Sequence, residues 1–250
     1  PAPPTPAPPT PALPPRAATV LVLRAAGPAI EVLLVRRSHR ASFMANAFVF
    51  PGGRVDAADA VADPADAAAA DPLYPARRAA ARELAEEVGL QVSKLGELVR
   101  FAHWITPSAE PKRFDTEFFL WPLPGPLPEP LNVQVDGREV FDPLWLTPAA
   151  ALDRYAAGTL NLPPPTVCTL EDLAAEIAAG QADPTQATLA AGADGASAAL
   201  LAALLTRCAA RQPLPVLPKL CATDHGELAI VMPWDPQYPE LPGEGQPVPG

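Results

Sequence analysis

Apolar residues recur with the period of β-strands in four stretches of the chain. Residues 18–24 and 30–36 are rich in Val and Leu and are separated by Gly27-Pro28, a pattern typical of two strands joined by a turn. Residues 95–103 favour a third strand. Residues 112–121 alternate polar and apolar at first and then become wholly apolar, which indicates a central strand that enters the core.

Helical patterns lie between and after these strands. One helix is predicted to begin near Pro75, because proline suits the first helical turn, and to end before Gly89. Further helices are predicted over residues 147–155 with Thr147 as N-cap, 170–179 with Thr169 as N-cap, and 197–210, where leucines lie on one side. Residues 217–232 indicate a hairpin with its turn at 224–226.

The composition limits the class of protein. The 250 residues can hold one medium domain with an extension or two small ones, and 49% hydrophobic residues are ample for a core. The 36 prolines predict long irregular segments, and we expect residues 1–15 and 241–250 to be disordered tails. The net charge of −10 argues against nucleic acid as the main partner.

Cysteine usage and hydropathy favour a cytoplasmic protein. Cys168, Cys208 and Cys221 are odd in number and form no C-x-x-C pattern, which is typical of buried free thiols in a reducing compartment. The best apolar stretch, residues 198–205, is well short of the roughly 20 residues that cross a membrane. We therefore expect a cytoplasmic location without a membrane partner.

Three carboxylates give the chain its candidate chemistry. On a helix Glu83, Glu86 and Glu87 stand at i, i+3 and i+4, so they share one face. Hard oxygen ligands on one turn suit Mg²⁺ or Mn²⁺, which keep water positions that a phosphate can displace. An acidic patch on an amphipathic helix is the alternative. The Phe50-Pro51-Gly52-Gly53 turn upstream, which lets backbone approach a metal or phosphate, favours the metal site.

The segment resembles the box of the Nudix hydrolase family, G-x5-E-x7-R-E-U-x-E-E-x-G-U, where U is a bulky apolar residue. Gly53 matches the first glycine, and residues 82–90 match the closing half at every defined position. Asp59 stands where the box has its first Glu. About 15 extra residues, roughly 60–74, read as an inserted surface loop, which is tolerable because loop-closure entropy grows slowly with length.

This resemblance implies a fold. The Nudix fold is an α/β/α sandwich with a mixed sheet, here with a helical C-terminal extension. The Nudix domain is expected at residues 16–160, and the extension, with the terminal hairpin packed on it, at 161–240. Such an extension would suit either a lid or a contact in a homodimer.

The resemblance also implies hydrolysis of a nucleoside diphosphate linked to another moiety, with Mg²⁺ or Mn²⁺ as cofactor and a small-molecule nucleotide as partner. Glu83, Glu86 and Glu87 would hold the metal, and Arg82 would orient a box glutamate. The general base is open between a box carboxylate and Glu139, whose spacing to Trp145 resembles that of a carboxylate near the metals in related proteins. A plain exposed glutamate at a strand start is the alternative for Glu139.

The upstream sequence resembles the branch of the family that cleaves coenzyme A and acyl-coenzyme A. The signature L-L-T-x-R-[SA]-x3-R-x3-G-x3-F-P-G-G is matched at Leu33, Leu34, Arg37, Ser38 and residues 50–53, and it is lost at Val35, Ser42 and Asn46. Arg37, Gly52 and Gly53 are therefore candidate substrate-binding residues, and Arg40 would supply the missing second arginine. The products would be 3′,5′-ADP and 4′-phosphopantetheine or its acyl form.

Residues 104–107 and 113–118 resemble the W-[IL]-T-P and R-F-D-T-x-F segments of the same branch. Arg113 is a candidate phosphate clamp, and an ion pair with Asp115 is the alternative. His103 and Trp104 are more typical of a strand end and a core than of a general base and a base-stacking platform.

Two other functions stay open. A pyrophosphatase acting on ADP-ribose or NADH would use the same box. A Nudix-fold binding module without turnover is suggested by Asp59 and the inserted loop, although all three box glutamates are present.

Overall fold

The strands and helices follow the apolar pattern of the chain. In the computed structural model, the described residues are 13–41, 44–61, 70–123, 133, 135–182, 193–222 and 228–242. They form ten strands, β1 (Arg16–Ala26), β2 (Ala29–Arg37), β3 (Phe48–Val49), β4 (Gly52–Arg54), β5 (Val99–Ile105), β6 (Asp115–Pro122), β7 (Val140–Leu146), β8 (Pro215–Val216), β9 (Lys219–Ala222) and β10 (Leu228–Val231). The α-helices in these ranges are α1 (Tyr74–Val88), α2 (Pro148–Ala156), α3 (Pro164–Gln181) and α4 (Ala193–Ala209).

Eight strands form a mixed sheet centred on β1. β1 pairs in parallel with β6 and antiparallel with β2 and β4. On one side of β1, β6 pairs antiparallel with β5, and β5 pairs in parallel with β8. On the other side, β2 pairs antiparallel with β3 and β7. β9 and β10 form a separate antiparallel hairpin.

Helices cover both faces of the sheet, which confirms the predicted α/β/α sandwich with its mixed sheet. α1 buries Ala79, Ala80 and Leu84 against one face, and α3 and α4 bury leucines against the other. β1 is therefore apolar on both sides, as a strand covered on both faces should be. The second helical layer comes from the segment that we expected to be an extension; the domain boundary at residue 160 stays a prediction.

Helix ends agree with the sequence at two places and differ at a third. Gly89, with φ of 72°, ends α1, and the Thr147 hydroxyl accepts a hydrogen bond from the N–H of Ala150 at 3.1 Å as the N-cap of α2. The predicted N-cap at Thr169 was wrong. Thr169 is buried inside α3, which begins at Pro164 because proline needs no partner for a backbone N–H in the first turn.

The terminal segments are partly ordered. The backbone N–H of Asp115 donates to the carbonyl oxygen of Pro15 at 2.9 Å, and the Lys219 ammonium donates to the carbonyl oxygen of Leu241 at 2.9 Å. Residues 1–12 and 243–250, the rest of the predicted tails, lie outside the described residues. The predicted C-terminal hairpin forms as β9 and β10, and its predicted turn at 224–226 also lies outside them.

The three cysteines form no disulfide, as predicted, although only Cys208 is fully buried. In the part of the chain that the structure describes, no helix has the length and apolar character that a membrane span requires.

One end of the sheet gathers residues that are distant in the sequence. The strand directions place the starts of β7, β1 and β6 beside the ends of β2, β5 and β8. β4 joins them, because Gly52 pairs with Thr19 and Arg54 pairs with Ala17. This end, called the site end of the sheet below, carries the candidate functional residues.

Candidate active site

The turn between β3 and β4 brings backbone to the site end of the sheet. The Thr19 hydroxyl donates to the carbonyl oxygens of Phe50 at 3.1 Å and Pro51 at 2.6 Å. Gly52 lies so close to β1 that a Cβ there would stand 2.3 Å from the carbonyl oxygen of Ala18. Glycine is therefore required at this position by close packing of two backbones.

The same turn supports two glutamates of α1. The N–H of Gly52 donates to the Glu87 carboxylate at 2.8 Å. A Cβ on Gly53 would stand 2.3 Å from the carboxyl carbon of Glu83, so Gly53 leaves the space that this carboxylate occupies. Gly52 and Gly53 thus fix the positions of the Glu87 and Glu83 carboxylates.

Burial and mutual repulsion make these carboxyl groups hard to ionise. Burial raises the pKa of Glu87 to about 8, although its hydrogen bond to the turn and the nearby Arg37 oppose the rise, and Glu83 and Glu139 add to it by repulsion. Burial also raises the pKa of Glu83, against the ion pair with Arg82. Ionisation of Glu87 is thus disfavoured by burial and by the neighbouring Glu83 and Glu139.

Arg82 is fixed by a buried partner. Its guanidinium lies 3.0 Å from the carboxylate of Asp59, which is only 2% exposed, and it also donates to Glu83 at 2.8 Å and to the carbonyl oxygen of Arg54 at 3.0 Å. The hydrogen bond to Asp59 raises the pKa of Arg82 above its ordinary value. Asp59 therefore ties a short 3-10 helix, Ala57–Ala60, to α1 from the position of the first box glutamate.

Glu86 lies on the outer side of the same helical turn. Its side chain is 62% exposed, it accepts a hydrogen bond from Arg82 at 3.3 Å, and it does not line the cavity described below. Across the described ranges, no group of three or more His, Cys, Asp or Glu side chains is arranged to hold a metal ion. The metal-ligand set of Glu83, Glu86 and Glu87 stays a prediction.

A loop held by Asp136 carries Glu139 to the site. The Asp136 carboxylate accepts hydrogen bonds from the backbone N–H groups of Arg138, Glu139 and Val140 at 3.0 to 3.1 Å. Burial alone raises the pKa of Asp136, but these three bonds bring it below its ordinary value. The backbone N–H of Asp136 also donates to the carbonyl oxygen of Glu87 at 3.0 Å, so the loop is attached to the end of α1.

A cavity of about 790 Å³ opens at the site end of the sheet. One half, called the carboxylate half, is lined by Glu83, Glu87, Glu139 and Arg37. The Nε atom of Arg37 is buried, and no hydrogen-bond partner for it exists within the described residues. Arg37 is the cation of this half, and its charge suits an anionic ligand such as phosphate.

The other half of the cavity, called the apolar half, lies toward β5 and β8. Its lining includes the apolar Trp104, Ile105, Phe114, Pro218 and Ile230. Charged residues of the loop between β5 and β6 line the cavity beside them, namely Glu110, Lys112 and Arg113. Prolines at the start of α3 also line it, at residues 163–165. The cavity therefore joins a charged site to an apolar surface.

The predicted substrate-binding arginines differ in position. Arg37 lines the cavity, as do Gly52 and Gly53. Arg113 also lines it and donates through Nε to the carbonyl oxygen of Thr106 at 3.1 Å. Arg40 is exposed in the turn after β2 and does not line the cavity. The binding roles of these residues stay predictions.

His103 and Trp104 have the structural environment that we expected. His103 contacts Asp115 through Nε2, and its Nδ1 lies 3.2 Å from the guanidinium of Arg100, which pairs with Glu117 at 2.8 Å. The histidine is thus a member of a charged network between β5 and β6. Trp104 is buried in the core and contributes one side to the cavity.

Sequence reasoning missed Asp136 and Thr19. Both residues position the site through hydrogen bonds to backbone groups. Asp136-Gly137 is a recognisable turn signal, because an Asp side chain readily accepts N–H bonds from the residues that follow it. It lies in the sequence D-G-R-E, three residues before Glu139. Thr19 lies within a strand, where nothing in the sequence marks its hydroxyl as a support for a distant turn.

Comparison with known proteins agrees with this geometry. A NUDIX domain model matches residues 75–163. The chain is 30% identical to putative nudix hydrolase 7 of Caenorhabditis elegans, with 63% of this chain and 60% of that protein covered. It is 26% identical to an acyl-coenzyme A diphosphatase of Xenopus laevis, with 57% of this chain and 59% of that protein covered. The chain thus spans about three fifths of the length of these curated relatives.

A solved structure is also similar. The crystal structure of a NUDIX hydrolase from Alicyclobacillus acidocaldarius matches with a TM-score of 0.52 and 29% identity, covering 63% of this chain and 90% of that one. The box, the sandwich and these matches together show that the chain carries a NUDIX domain over residues 75–163 and is similar to Nudix hydrolases.

Proposed function

We propose that this protein is a metal-dependent pyrophosphohydrolase that cleaves the diphosphate of coenzyme A or acyl-coenzyme A. The products are 3′,5′-ADP and 4′-phosphopantetheine or its acyl form. One observation carries the proposal: buried, mutually repelling carboxylates and the Arg37 side chain line one cavity that continues into an apolar half.

The carboxylates suit a divalent cation. Glu83 and Glu87 are oxygen donors whose pKa values are raised by burial and by like charge, so a cation beside them would relieve the repulsion. Mg²⁺ or Mn²⁺ would be held by Glu83 and Glu87, with Glu86 reaching in from the outer side of the turn. A divalent cation supplies charge neutralisation at the diphosphate and Lewis acidity at phosphorus.

The side chains of the chain account for the remaining steps. Arg37 and Arg113, which both line the cavity, bind phosphate oxygens. Glu139 or a box glutamate accepts a proton from the attacking water as its oxygen forms a bond to phosphorus. The anhydride P–O bond breaks, and its electrons stay on the departing phosphate. Arg82 does not touch substrate; its fixed guanidinium holds Glu83 in place.

The proposed substrate rests on three observations. The upstream signature keeps its spacing around Arg37, and one similar protein is named an acyl-coenzyme A diphosphatase. The apolar half of the cavity gives an acyl substituent a place beside the carboxylate half.

The free cysteines favour a reducing compartment, and we propose the cytoplasm.

The structure weakens the reason for a binding module without turnover. That alternative was suggested by Asp59 and the inserted loop, yet Asp59 reaches Arg82 and forms an ion pair with it at 3.0 Å. Its shorter side chain is compensated by the 3-10 helix that carries it.

Product analysis by mass spectrometry tests the proposal. Coenzyme A, octanoyl-coenzyme A, palmitoyl-coenzyme A, NADH and ADP-ribose are offered separately with Mg²⁺ or Mn²⁺. We expect 3′,5′-ADP from the coenzyme A compounds at rates at least tenfold above any cleavage of NADH or ADP-ribose. Faster cleavage of ADP-ribose or NADH would contradict the substrate, and tight binding without any product would contradict the enzyme.

A further inference from the structure

The apolar half of the cavity is built largely by residues outside the segment that carries the Nudix box. Pro218 and Ile230 belong to the C-terminal part of the chain, and residues 163–165 begin α3. They reach the cavity because β8 pairs with β5, with Val216 opposite Trp104. The chain that follows β8 therefore lies beside the end of β5.

Strand order gives the direction of the cavity. Across the sheet the strands follow the order β2, β1, β6, β5 and β8. Arg37 lies at the end of β2, and Glu139 directly precedes β7, which pairs with β2. Trp104 and Ile105 end β5, two strands beyond β1. From β1 to β8 the cavity thus crosses three strand spacings, roughly 14 Å. A ligand whose phosphates occupy the carboxylate half has room to extend toward the C-terminal hairpin.

The C-terminal hairpin contributes an open aliphatic side chain to the cavity. Ile230 is 42% exposed although it is a large aliphatic residue, and it lines the cavity. Leu228 stands on the same face of β10, since residues two apart in a strand point the same way, but it does not line the cavity and is 77% exposed. An exposed aliphatic side chain at the end of an apolar path is suited to contact with an apolar ligand group.

We infer that Ile230, on the C-terminal hairpin, contacts the acyl chain of the substrate and sets the preference for acyl-coenzyme A over free coenzyme A. This inference rests on the proposed function, because it assumes that the diphosphate lies in the carboxylate half. Each methylene that leaves water is worth roughly fourfold in affinity, so contact with a few methylenes is enough for a clear preference.

Equilibrium binding tests the inference without turnover. Octanoyl-coenzyme A and coenzyme A are titrated by calorimetry in EDTA into the unmodified protein, Ile230→Asp, Ile230→Ala and Leu228→Asp. Leu228→Asp is the matched control, because it places the same charge on the same strand and face. The unmodified protein and Leu228→Asp are expected to bind octanoyl-coenzyme A at least tenfold more tightly than coenzyme A. In Ile230→Asp this ratio falls below threefold, and Ile230→Ala gives an intermediate ratio.

Two outcomes overturn the inference: an octanoyl group that adds no affinity in the unmodified protein, or a ratio that Ile230→Asp retains in full. Hydrolysis with Mg²⁺ is measured separately on the same proteins. Absence of hydrolysis contradicts the proposed function, while the binding ratio still decides whether the hairpin contacts the acyl chain.

Discussion

At Gly53 a missing side chain decides where a carboxylate rests. The Glu83 carboxyl group occupies the space that a Cβ would take, at 2.3 Å. Replacement by alanine must therefore move either the turn or the carboxylate. A displacement near 1 Å in such a group can lower catalysis by roughly a hundredfold.

We expect Gly53→Ala to lower kcat/KM for octanoyl-coenzyme A by about a hundredfold while the protein still folds. Gly96→Ala is the control, because a Cβ at Gly96 meets no atom within 4 Å. Steady-state kinetics and circular dichroism on both variants make the comparison. Equal activity of the two would show that the space beside Gly53 is not needed by Glu83.

The buried Glu87 predicts a pH dependence of stability in the metal-free protein. Its folded pKa of about 8 lies above the ordinary glutamate value. At a pH between these two pKa values, Glu87 is protonated in the folded chain and ionised in the unfolded chain. The free energy of unfolding therefore falls as pH rises from 5 to 8, by on the order of a few kcal/mol.

Urea denaturation in EDTA at several pH values between 5 and 8 measures this effect. Glu87→Gln cannot ionise, so its stability should change less across the same range than that of the unmodified protein. Parallel curves for the two proteins would contradict the raised pKa.

At the scale of secondary-structure elements, the loop before β7 positions Glu139, which lines the cavity, through Asp136, which does not. Asp136 holds three backbone N–H groups, including that of Glu139, and its own N–H is bound to the end of α1. The Ser38 N–H adds a bond to the carbonyl oxygen of Glu139 at 2.8 Å. Glu139 is thus oriented by β2, α1 and Asp136 together.

We expect Asp136→Ala to lower kcat by at least tenfold with a smaller change in KM, because Glu139 loses its fixed position while the arginines proposed to bind phosphate remain. Asp136→Asn keeps an oxygen acceptor and should recover part of the loss. Asp153→Ala, at an exposed site on α2, is the control. A loss that appears only in KM, or full activity in Asp136→Ala, would contradict the positioning role.

Elements with a long apolar period were predictable, and short ones were not. β1, β2, β6, α1 and the hairpin each carry enough residues for the period to appear. β3, β4 and β8 have two or three residues, so alternation cannot be seen in them. These short strands bring the Gly52-Gly53 turn and the C-terminal segment to the site, and the pairing of β4 and β8 depends on contacts across more than 30 residues.

The same contrast applies to the residues of the site. Glu83, Glu87 and Gly53 were found because the box fixes their spacing. The outward position of Glu86 was not predicted. Helical spacing alone does not say which of three neighbouring acids will be buried under the turn between β3 and β4. Asp59 resembled a defect in the sequence, and only the folded 3-10 helix accounts for its reach to Arg82.

In the whole molecule, both halves of the chain build one site. The Nudix segment supplies the carboxylate half, and residues after 160 supply the second helical layer and part of the apolar half. In the proposed function, a cavity made this way couples cleavage of the diphosphate to the nature of the group attached to it. The box alone specifies the first of these and not the second.

The most direct test of this account is Mg²⁺-dependent turnover of octanoyl-coenzyme A by the unmodified protein and by Glu86→Gln, Glu87→Gln and Glu240→Gln, where Glu240 is an exposed control outside the site. We expect formation of 3′,5′-ADP by the unmodified protein and the control. Glu86→Gln and Glu87→Gln should each lose at least 99% of that rate, about 2.7 kcal/mol of transition-state stabilisation. Retention of most of the Mg²⁺-dependent turnover by Glu87→Gln or Glu86→Gln would contradict the assignment of the site.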